Sequence, residues 1–470
     1  MNEKHYFKVK GGLGVKCKRR KFYLSSTQII MLSFLGAILL GSILLSLPVS
    51  SASGQSIPYP DALFTATSAT CVTGLVTLST AGTWSMFGQI VILILIQVGG
   101  LGIITIMSGV VLALHRSMNL SGRILLQDAF NLNTLSGLSR FLRRVILGTF
   151  AVEGVGALLY MTVFVPTFGV RGIWISVFNS VSAFCNAGMD VIGENSLCDF
   201  ATSPMVNAVT AALVILGGLG FIVWWDMLNV LDLSIRHKSL KMFSHLSLHS
   251  KMVIFSTIIL LVGGGALVLL LEFSNPNTLG DLPLFQKVQI AVFQSVTTRT
   301  AGFSTMDQSA LTPATTFLCL LLMFIGGSPV GTAGGVKTVT VLVLTAYTIS
   351  TIRGKREVGL FNRRIPKEAL RMSVAVAGMS FLIIAVSTIL VASVTRGRDL
   401  ADILYETVSA TATVGLSRNL TPFLNVTGKM IVAVTMYLGR IGPISLAVAF
   451  STTKEKQNIV NNPIESVSVG

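Results

Sequence analysis

The sequence predicts an all-α polytopic membrane protein in which one structural unit is repeated four times in tandem. The chain has 470 residues, of which 52% are hydrophobic and only 11% are charged. Soluble globular proteins carry about 25% charged residues. Four degenerate copies of one short segment contain Gly74, Gly188, Gly302 and Gly415, which lie 114, 114 and 113 residues apart. A fixed period of this kind indicates a repeated structural unit.

The first unit contains two long apolar runs with a short one between them. Residues 27–47 are long enough to cross a bilayer, which needs about 20 residues, so we expect a retained membrane helix there. Residues 61–69 follow three prolines and span only about ten residues, which is too few to cross. They are predicted to re-enter the membrane as a short pore helix that leads into the Gly74 loop. Residues 86–114 form the inner helix.

The same order of outer helix, pore helix, loop and inner helix is predicted throughout the chain. The net charge of +16 could suggest a nucleic-acid partner, but the charges lie in short segments between apolar runs, so none is expected. The amino-terminal segment and the segments after the inner helices hold 26 of the 35 Lys and Arg residues. The positive-inside rule therefore places both termini in the cytoplasm and the glycine loops outside. The predicted divisions are a basic segment at 1–26, repeats at 27–115, 140–231, 251–352 and 366–450, and a tail at 451–470.

The repeats are predicted to surround a single pore. Each repeat crosses the membrane twice, so all four have the same orientation, whereas inverted repeats require an odd number of crossings. Four parallel repeats indicate pseudo-fourfold symmetry about the membrane normal. The axis then lies where the four glycine loops meet.

The four loops are predicted to form an ion-selective filter. Rings of backbone carbonyls can replace the water around a cation, and glycine permits the positive φ that helps to aim them. Only Thr413-Val414-Gly415 matches the Thr-Val-Gly of potassium channel filters, so the backbone must be the shared ligand. The alternative is that the glycines only form tight turns. The predicted filter residues are Val72, Thr73, Gly74, Asn186, Ala187, Gly188, Thr300, Ala301, Gly302, Thr413, Val414 and Gly415.

One further residue of the third loop carries a charge. Arg299 lies three residues before Gly302. Because a cation that lines a cation path would repel the ion, we expect its guanidinium to point away from the axis and brace the loop.

A second glycine pattern, found in all four inner helices, predicts a gate below the filter. In the third copy, residues 326–337 contain five glycines and a proline, which is incompatible with a regular helix. A nucleotide-binding P-loop needs Gly-Lys-Ser/Thr, but Val336 separates Gly335 from Lys337. Arg440 replaces a glycine in the fourth copy, and an intramembrane arginine is a functional hypothesis by default. We expect it to bond to carbonyls of the unwound segment. The predicted gate residues are Gly326, Gly327, Gly331, Gly334, Gly335, Lys337 and Arg440.

The sequence does not indicate an enzyme or a resident cofactor. The five cysteines form no C-x-x-C pair or metal-ligand cluster, and a disulfide is not expected. Glu153 and Asp226 are isolated acids in the apolar spans, with no nucleophile and base beside them in the sequence.

From residue 27 to about 450, these motifs resemble the KtrB/TrkH superfamily of potassium uptake proteins. The chain begins with the first outer helix, without two extra leading spans, which favours the KtrB branch. The resemblance implies potassium uptake across a bacterial plasma membrane as the ion-conducting subunit of a Ktr-type system, with K⁺ at the filter carbonyls and Na⁺ as a possible second ion. It also implies a homodimer, a cytoplasmic KtrA-type nucleotide-binding regulatory ring and a membrane-lipid environment. The alternative is an alternating-access symporter for monovalent cations.

Overall fold

The computed structural model describes residues 25–113, 124, 138–237, 242–355 and 357–442. The predicted amino-terminal segment, apart from its last two residues, and the predicted carboxyl-terminal tail lie outside these residues. The longer helices are α1 (Ser26–Ser46), α2 (Tyr59–Cys71), α3 (Met86–Leu101), α4 (Ile103–Ala113), α5 (Leu138–Phe168), α6 (Arg171–Cys185), α7 (Pro204–Leu219), α8 (Phe221–His237), α9 (Leu248–Glu272), α10 (Leu284–Thr297), α11 (Pro313–Phe324), α12 (Thr338–Ile352), α13 (Lys367–Val394), α14 (Leu400–Ala412) and α15 (Val426–Ile441). The shorter elements are the helices Thr80–Thr83 and Met242–His245, the 3-10 turns Pro48–Ser50, Cys198–Phe200, Gln308–Ala310 and Thr421–Phe423, and the antiparallel strands β1 (Gly359–Leu360) and β2 (Arg363–Arg364).

Four helices are long and apolar enough to cross a membrane, namely α1, α5, α9 and α13. The count becomes five if α7 and α8, which meet at an angle of 96°, are one span. The four helices coincide with the predicted outer helices to within a few residues. The α1 helix begins at a capping box, in which Ser25 and Gln28 satisfy each other's backbone amides. The chain is therefore an all-α polytopic membrane protein, as the composition predicted.

Large apolar side chains face outward on the four long helices. In a soluble protein this surface would favour aggregation, whereas in a bilayer it contacts acyl chains. The short helices lie inside: every residue of α2 from Phe64 to Cys71 is buried. Examples of the outward-facing side chains and their exposed fractions are Leu40 at 62%, Leu158 at 65%, Val262 at 67% and Phe381 at 69%.

The short helices α2, α6, α10 and α14 each end just before a filter glycine. The residue that follows α2, α6 or α14 has left-handed backbone geometry, with φ of 55°, 60° and 51° at Val72, Asn186 and Thr413. In repeat 3 the left-handed residue is Thr300, three residues after α10 ends at Thr297, and its φ is 69°. A left-handed residue ends an α-helix, so each short helix stops where the chain turns into its loop.

The inner helices differ from the prediction of continuous spans in repeats 1, 2 and 4. The chain leaves the helical conformation at Gly102, Gly220 and Gly442, where φ is 85° to 87° and ψ is 135° to 141°. Only glycine adopts this geometry readily. In repeat 3 the interruption is longer and runs from Ile325 to Lys337. The last part of the fourth predicted inner helix, residues 443–450, lies outside the described residues.

Candidate functional site

The glycines of the four filter loops (residues 72–74, 186–188, 300–302 and 413–415) form a closed ring, which we call the glycine ring. A Cβ atom added to Gly74, Gly188 or Gly302 would lie 2.5 to 2.6 Å from a carbonyl oxygen of the next loop, and one added to Gly415 would meet the first loop. The four φ angles lie between 65° and 98°. The carbonyls that face these positions belong, in that order, to Ala187, Ala301, Val414 and Thr73.

The geometry of the glycine ring leaves no room for side chains between neighbouring loops. Each glycine contacts the residue that precedes the next glycine, and the order of contacts runs through repeats 1, 2, 3 and 4 and back to 1. Four carbonyl-bearing loops therefore meet at one point. Uncharged carbonyl oxygens in such rings are ligands for dehydrated monovalent cations.

Several polar side chains of the filter loops have no partner. The buried atoms without a hydrogen bond among the described residues include Oγ1 of Thr73, Thr300 and Thr413 and Nδ2 of Asn186. Buried polar groups are almost always paired with protein or water. Water molecules or a hydrated ion can provide such partners.

On one side of the glycine ring lies a cavity of about 590 Å³, which we call the vestibule. All four ring glycines line it, together with Asp190, Glu194 and Asp307. No Lys or Arg occurs among its described lining residues, so the vestibule favours cations. These acids were not predicted as site residues, although Asp190 follows Gly188 by only two residues.

Asp190 is the acid with the most enclosed carboxylate of the three. One carboxylate oxygen accepts a hydrogen bond from the amide of Ile192 at 3.2 Å. Burial raises the pKa of Asp190 to about 6, although hydrogen bonds from Ile192, Ser196 and Gly193 oppose the shift. The charge of Asp190 therefore changes as the pH passes through about 6.

A second cavity, of about 360 Å³, is lined by the interrupted inner helices. Its lining includes Gly99 and Gly439 from repeats 1 and 4, and Gly334, Lys337 and Arg440 from the predicted gate. Five of the seven predicted gate residues thus line one cavity, whereas Gly326 and Gly327 are not among its lining residues. The lining also includes Thr411 and Ala412, which directly precede filter loop 4.

Residues 326–337, which we call the gate segment, form a compact loop. The amide of Gly326 donates to Val336 O at 3.0 Å, and the amide of Thr338 donates to Gly327 O at 3.0 Å. The segment is also bonded to the break between α7 and α8: the Ser328 amide donates to Gly218 O at 2.9 Å. These bonds satisfy backbone groups that would cost several kcal/mol if left unpaired in the membrane. The interruption in repeat 2 is therefore part of the support for the gate segment.

Arg440 joins the gate segment to repeat 1. Its Nη1 donates to Thr332 O at 2.6 Å, which agrees with the expected bond to the unwound segment. Its Nη2 also donates to Gly99 O at 2.5 Å, a contact that the sequence did not predict. Lys337 donates to Ala333 O at 2.6 Å, within its own segment. No described carboxylate lies within 4.0 Å of the Lys337 ammonium or the Arg440 guanidinium, so neither group has an acidic partner among the described residues.

Arg299 extends away from the glycine ring. Its side chain is 7% exposed, and Nη2 lies 3.5 Å from Thr257 Oγ1 on the outer helix α9. This placement matches the expected bracing of the third loop.

Two ion pairs and a hydrogen bond that were not predicted from the sequence also hold the loops. Lys429 on α15 pairs with Asp61 on the pore helix α2 at 2.5 Å. Arg418, just after filter loop 4, pairs with Asp402 at 2.8 Å and donates to Thr316 Oγ1 at 2.6 Å. These contacts join repeat 4 to repeats 1 and 3.

Glu153 is less isolated than its sequence position indicates. It is 4% exposed and accepts a hydrogen bond from Gln97 Nε2 at 3.3 Å. The thiol of Cys185, next to filter loop 2, lies 3.9 Å from the same carboxyl group. Asp226 instead accepts a bond from the Ser247 amide at 3.0 Å.

Comparisons with known proteins identify one group of relatives. The TrkH family, described as cation transport protein, matches residues 7–462. Ktr system potassium uptake protein B of Bacillus subtilis is 37% identical over 433 residues, covering 92% of this chain and 94% of that protein. The potassium/sodium uptake protein NtpJ of Enterococcus hirae is 38% identical over 461 residues, covering 96% and 99%. The crystal structure of the potassium transporter TrkH from Vibrio parahaemolyticus superposes with a TM-score of 0.73 at 17% identity, covering 93% of this chain and 87% of that chain.

Proposed function

Because this chain belongs to the TrkH family of cation transport proteins, we propose that it takes up potassium across the plasma membrane of a bacterium. The observation that carries this proposal is the glycine ring, in which each of four loops packs a backbone carbonyl oxygen against the glycine of a neighbouring loop in a closed cycle. The relatives named potassium uptake proteins support the choice of ion. In this role the protein is the ion-conducting subunit of a Ktr-type system.

In this proposal, a cation enters through the acidic vestibule and sheds water at the filter loops. The carbonyls before and at Gly74, Gly188, Gly302 and Gly415 replace that water, as rings of carbonyls do in other filters. The three predicted residues of each filter loop therefore act through their backbones. The left-handed residues Asn186, Thr300 and Thr413 also carry side-chain oxygens. Sodium is the second candidate ion, since one relative is named a potassium/sodium uptake protein.

The gate segment is proposed to close the path on the far side of the filter. Two observations support this role: its residues line the second cavity, and Gly334 packs against Thr413 of filter loop 4. Arg440 adds positive charge beside the path, which opposes cation entry from that cavity. Opening then requires the segment to leave its bonds to Gly218 and Arg440.

The proposed assembly follows the Ktr system named in the relatives. We propose a homodimer with one pore per subunit, surrounded by lipid. A cytoplasmic nucleotide-binding ring of the KtrA type would act on the inner helix of repeat 3, because α12 follows the gate segment directly. Both termini are then cytoplasmic.

Complementation of a bacterium that lacks its own potassium uptake systems tests the function. Growth on low potassium should be restored by the chain expressed with a Ktr-type regulatory ring, and rubidium should substitute better than sodium. Failure to restore growth, with the protein present in the membrane, would contradict potassium uptake.

A further inference from the structure

One residue of the gate segment contacts three parts of the pathway at once. Thr332 is fully buried. Its amide donates to Gly217 O at 3.1 Å, and its carbonyl accepts from Arg440 Nη1 at 2.6 Å. Its hydroxyl lies 3.1 Å from Phe184 O and 3.0 Å from Asn186 Oδ1, so the single hydroxyl hydrogen is shared between two acceptors.

The two acceptors flank the point where the pore helix of repeat 2 becomes the filter. Asn186 caps α6 in the left-handed conformation, with φ of 60°. That conformation is unusual for a residue other than glycine, although asparagine tolerates it best. The residues that follow, Ala187 and Gly188, provide the second loop of the glycine ring. The Thr332 hydroxyl therefore restrains the residue that sets the direction of filter loop 2.

The gate segment lies beneath two opposite loops of the glycine ring. Loops 2 and 4 are not neighbours in the order of ring contacts. Thr332 bonds to loop 2, whereas Gly334 lies so close to loop 4 that a Cβ there would be 2.7 Å from Ala412 O. Among the described side chains of the gate segment, only that of Thr332 is hydrogen-bonded to a filter loop.

We propose that Thr332 is a positioning residue that couples the gate segment to cation selectivity through Asn186. This inference rests on the proposed filter and gate. A movement of the segment that breaks the bond to Arg440 also carries the hydroxyl away from filter loop 2, because both groups belong to one residue. Coupling is reciprocal, so a filter loop disturbed at Asn186 also weakens the closed position of the gate segment.

The test compares potassium and sodium flux through purified protein in liposomes for the wild type and three variants. Thr332→Val replaces the hydroxyl with a methyl group, and Thr332→Ser keeps the hydroxyl. Ser328→Ala is the matched control, because the Ser328 hydroxyl lies in the same segment but faces Thr338 at 3.4 Å. The potassium-to-sodium flux ratio should fall about fivefold in Thr332→Val, the equivalent of one buried neutral hydrogen bond. The ratio should stay near the wild-type value in Thr332→Ser and Ser328→Ala.

A wild-type ratio in folded Thr332→Val would overturn the inference, and so would a lower flux of both ions at an unchanged ratio, since that result describes a structural role alone. If Thr332→Val does not fold, Thr332→Cys supplies a weak donor of similar size and should give an intermediate ratio. An unchanged ratio in Thr332→Cys would then count against the inference. If the wild-type protein itself carries no potassium flux, the proposed function fails. That result is distinct from a failure of the Thr332 inference, which requires wild-type flux and an unchanged ratio in the variant.

Discussion

At the residue scale, the ring glycines are constrained by neighbouring backbone. Their spacing in the sequence was enough to predict that these four positions are equivalent. The order of contacts was not predictable, because each glycine touches a residue that lies more than a hundred positions away in the chain. The pairing of Lys429 with Asp61 was hidden for the same reason. The spacing identified the four glycines, but only the fold shows which residues meet across the repeats.

Replacing Gly74 or Gly415 with serine should weaken potassium uptake. A side chain at φ of 98° or 95° is strained, and its Cβ would meet the carbonyl of the adjoining loop. We expect the concentration for half-maximal uptake to rise at least about fivefold, equivalent to roughly 1 kcal/mol. The measurement is potassium uptake at matched membrane expression.

Gly54 provides the matched control for these two substitutions. Its φ is also positive, at 72°, but a Cβ there would meet nothing within 4 Å. Gly54→Ser should therefore leave uptake affinity unchanged. Equal affinity in all three variants and the wild type would remove the carbonyl filter from the account.

Asp190 predicts a dependence on external pH. Its carboxylate is charged above its pKa of about 6, so the attraction for cations is present at neutral pH and lost as the pH falls through that value. Acidification from about pH 8 to about pH 5 should raise the half-saturating potassium concentration roughly threefold. Asp190→Asn should show the weaker affinity at both values. Glu194→Gln, at an exposed position of the same vestibule, should retain the pH response; if it alone loses the response, Asp190 is the wrong residue.

At the element scale, the outer and pore helices follow from length and hydropathy, whereas the breaks in the inner helices do not. The predicted outer helix at 27–47 corresponds to α1 at Ser26–Ser46. The breaks at Gly102 and Gly220 were missed because a glycine inside an apolar run is compatible with a continuous helix. At Gly220 the break is fixed by the docking of the gate segment, because Phe221, just after Gly220, donates its amide to Val330 O at 3.1 Å. A contact between two repeats therefore determines a local conformation.

Weakening the attachment of the gate segment should increase flux. Arg440→Ala removes the charged donor to Thr332 and Gly99. Loss of one charged hydrogen bond, worth roughly 1.5 kcal/mol, would raise the open fraction about tenfold where that fraction is small. Deleting residues 331–335 should have the same direction of effect. The measurement is ion flux per folded protein in liposomes without a regulatory partner.

A structural role for Arg440 gives the opposite result. In that case Arg440→Ala lowers both thermal stability and flux. If Arg440 instead holds the gate segment closed, Arg440→Lys should give a flux between those of the wild type and Arg440→Ala, because lysine retains the charge but has fewer donors in a different geometry. Unchanged or lower flux from a well-folded deletion variant would exclude a gate made of this segment.

At the scale of the whole molecule, composition alone identified the membrane class, and the glycine period indicated one central path. The closed cycle of ring contacts supports the predicted pseudo-fourfold arrangement. The repeats are unequal, however: among the described residues, which end at Gly442 in repeat 4, only repeat 3 has a long interruption. Only repeat 4 carries an arginine at the position of the second glycine. The gate segment of repeat 3 and Arg440 of repeat 4 are the two partners of one contact, the hydrogen bond from Arg440 Nη1 to Thr332 O. The bond between them was expected from the sequence, whereas the second bond of Arg440, to Gly99 O in repeat 1, was not.

The predicted orientation can be tested by labelling intact cells. A cysteine in place of Ser53, which is exposed in the loop after α1, should react with a membrane-impermeant thiol reagent added outside. A cysteine in place of Lys355, exposed in the segment after α12, should react only after the membrane is opened. The unmodified protein measures any background from native thiols. The reverse labelling pattern would place the vestibule in the cytoplasm and contradict uptake from outside.

The most direct test of the central claim is potassium flux by purified protein in liposomes that contain no sodium gradient. A path through the glycine ring predicts flux driven by the potassium gradient alone, larger than sodium flux under matched gradients. Gly54→Ser should preserve this flux and its selectivity, and Gly74→Ser should reduce both. No potassium flux from folded protein, or flux that appears only when a sodium gradient is imposed, would contradict the account and favour an alternating-access symporter.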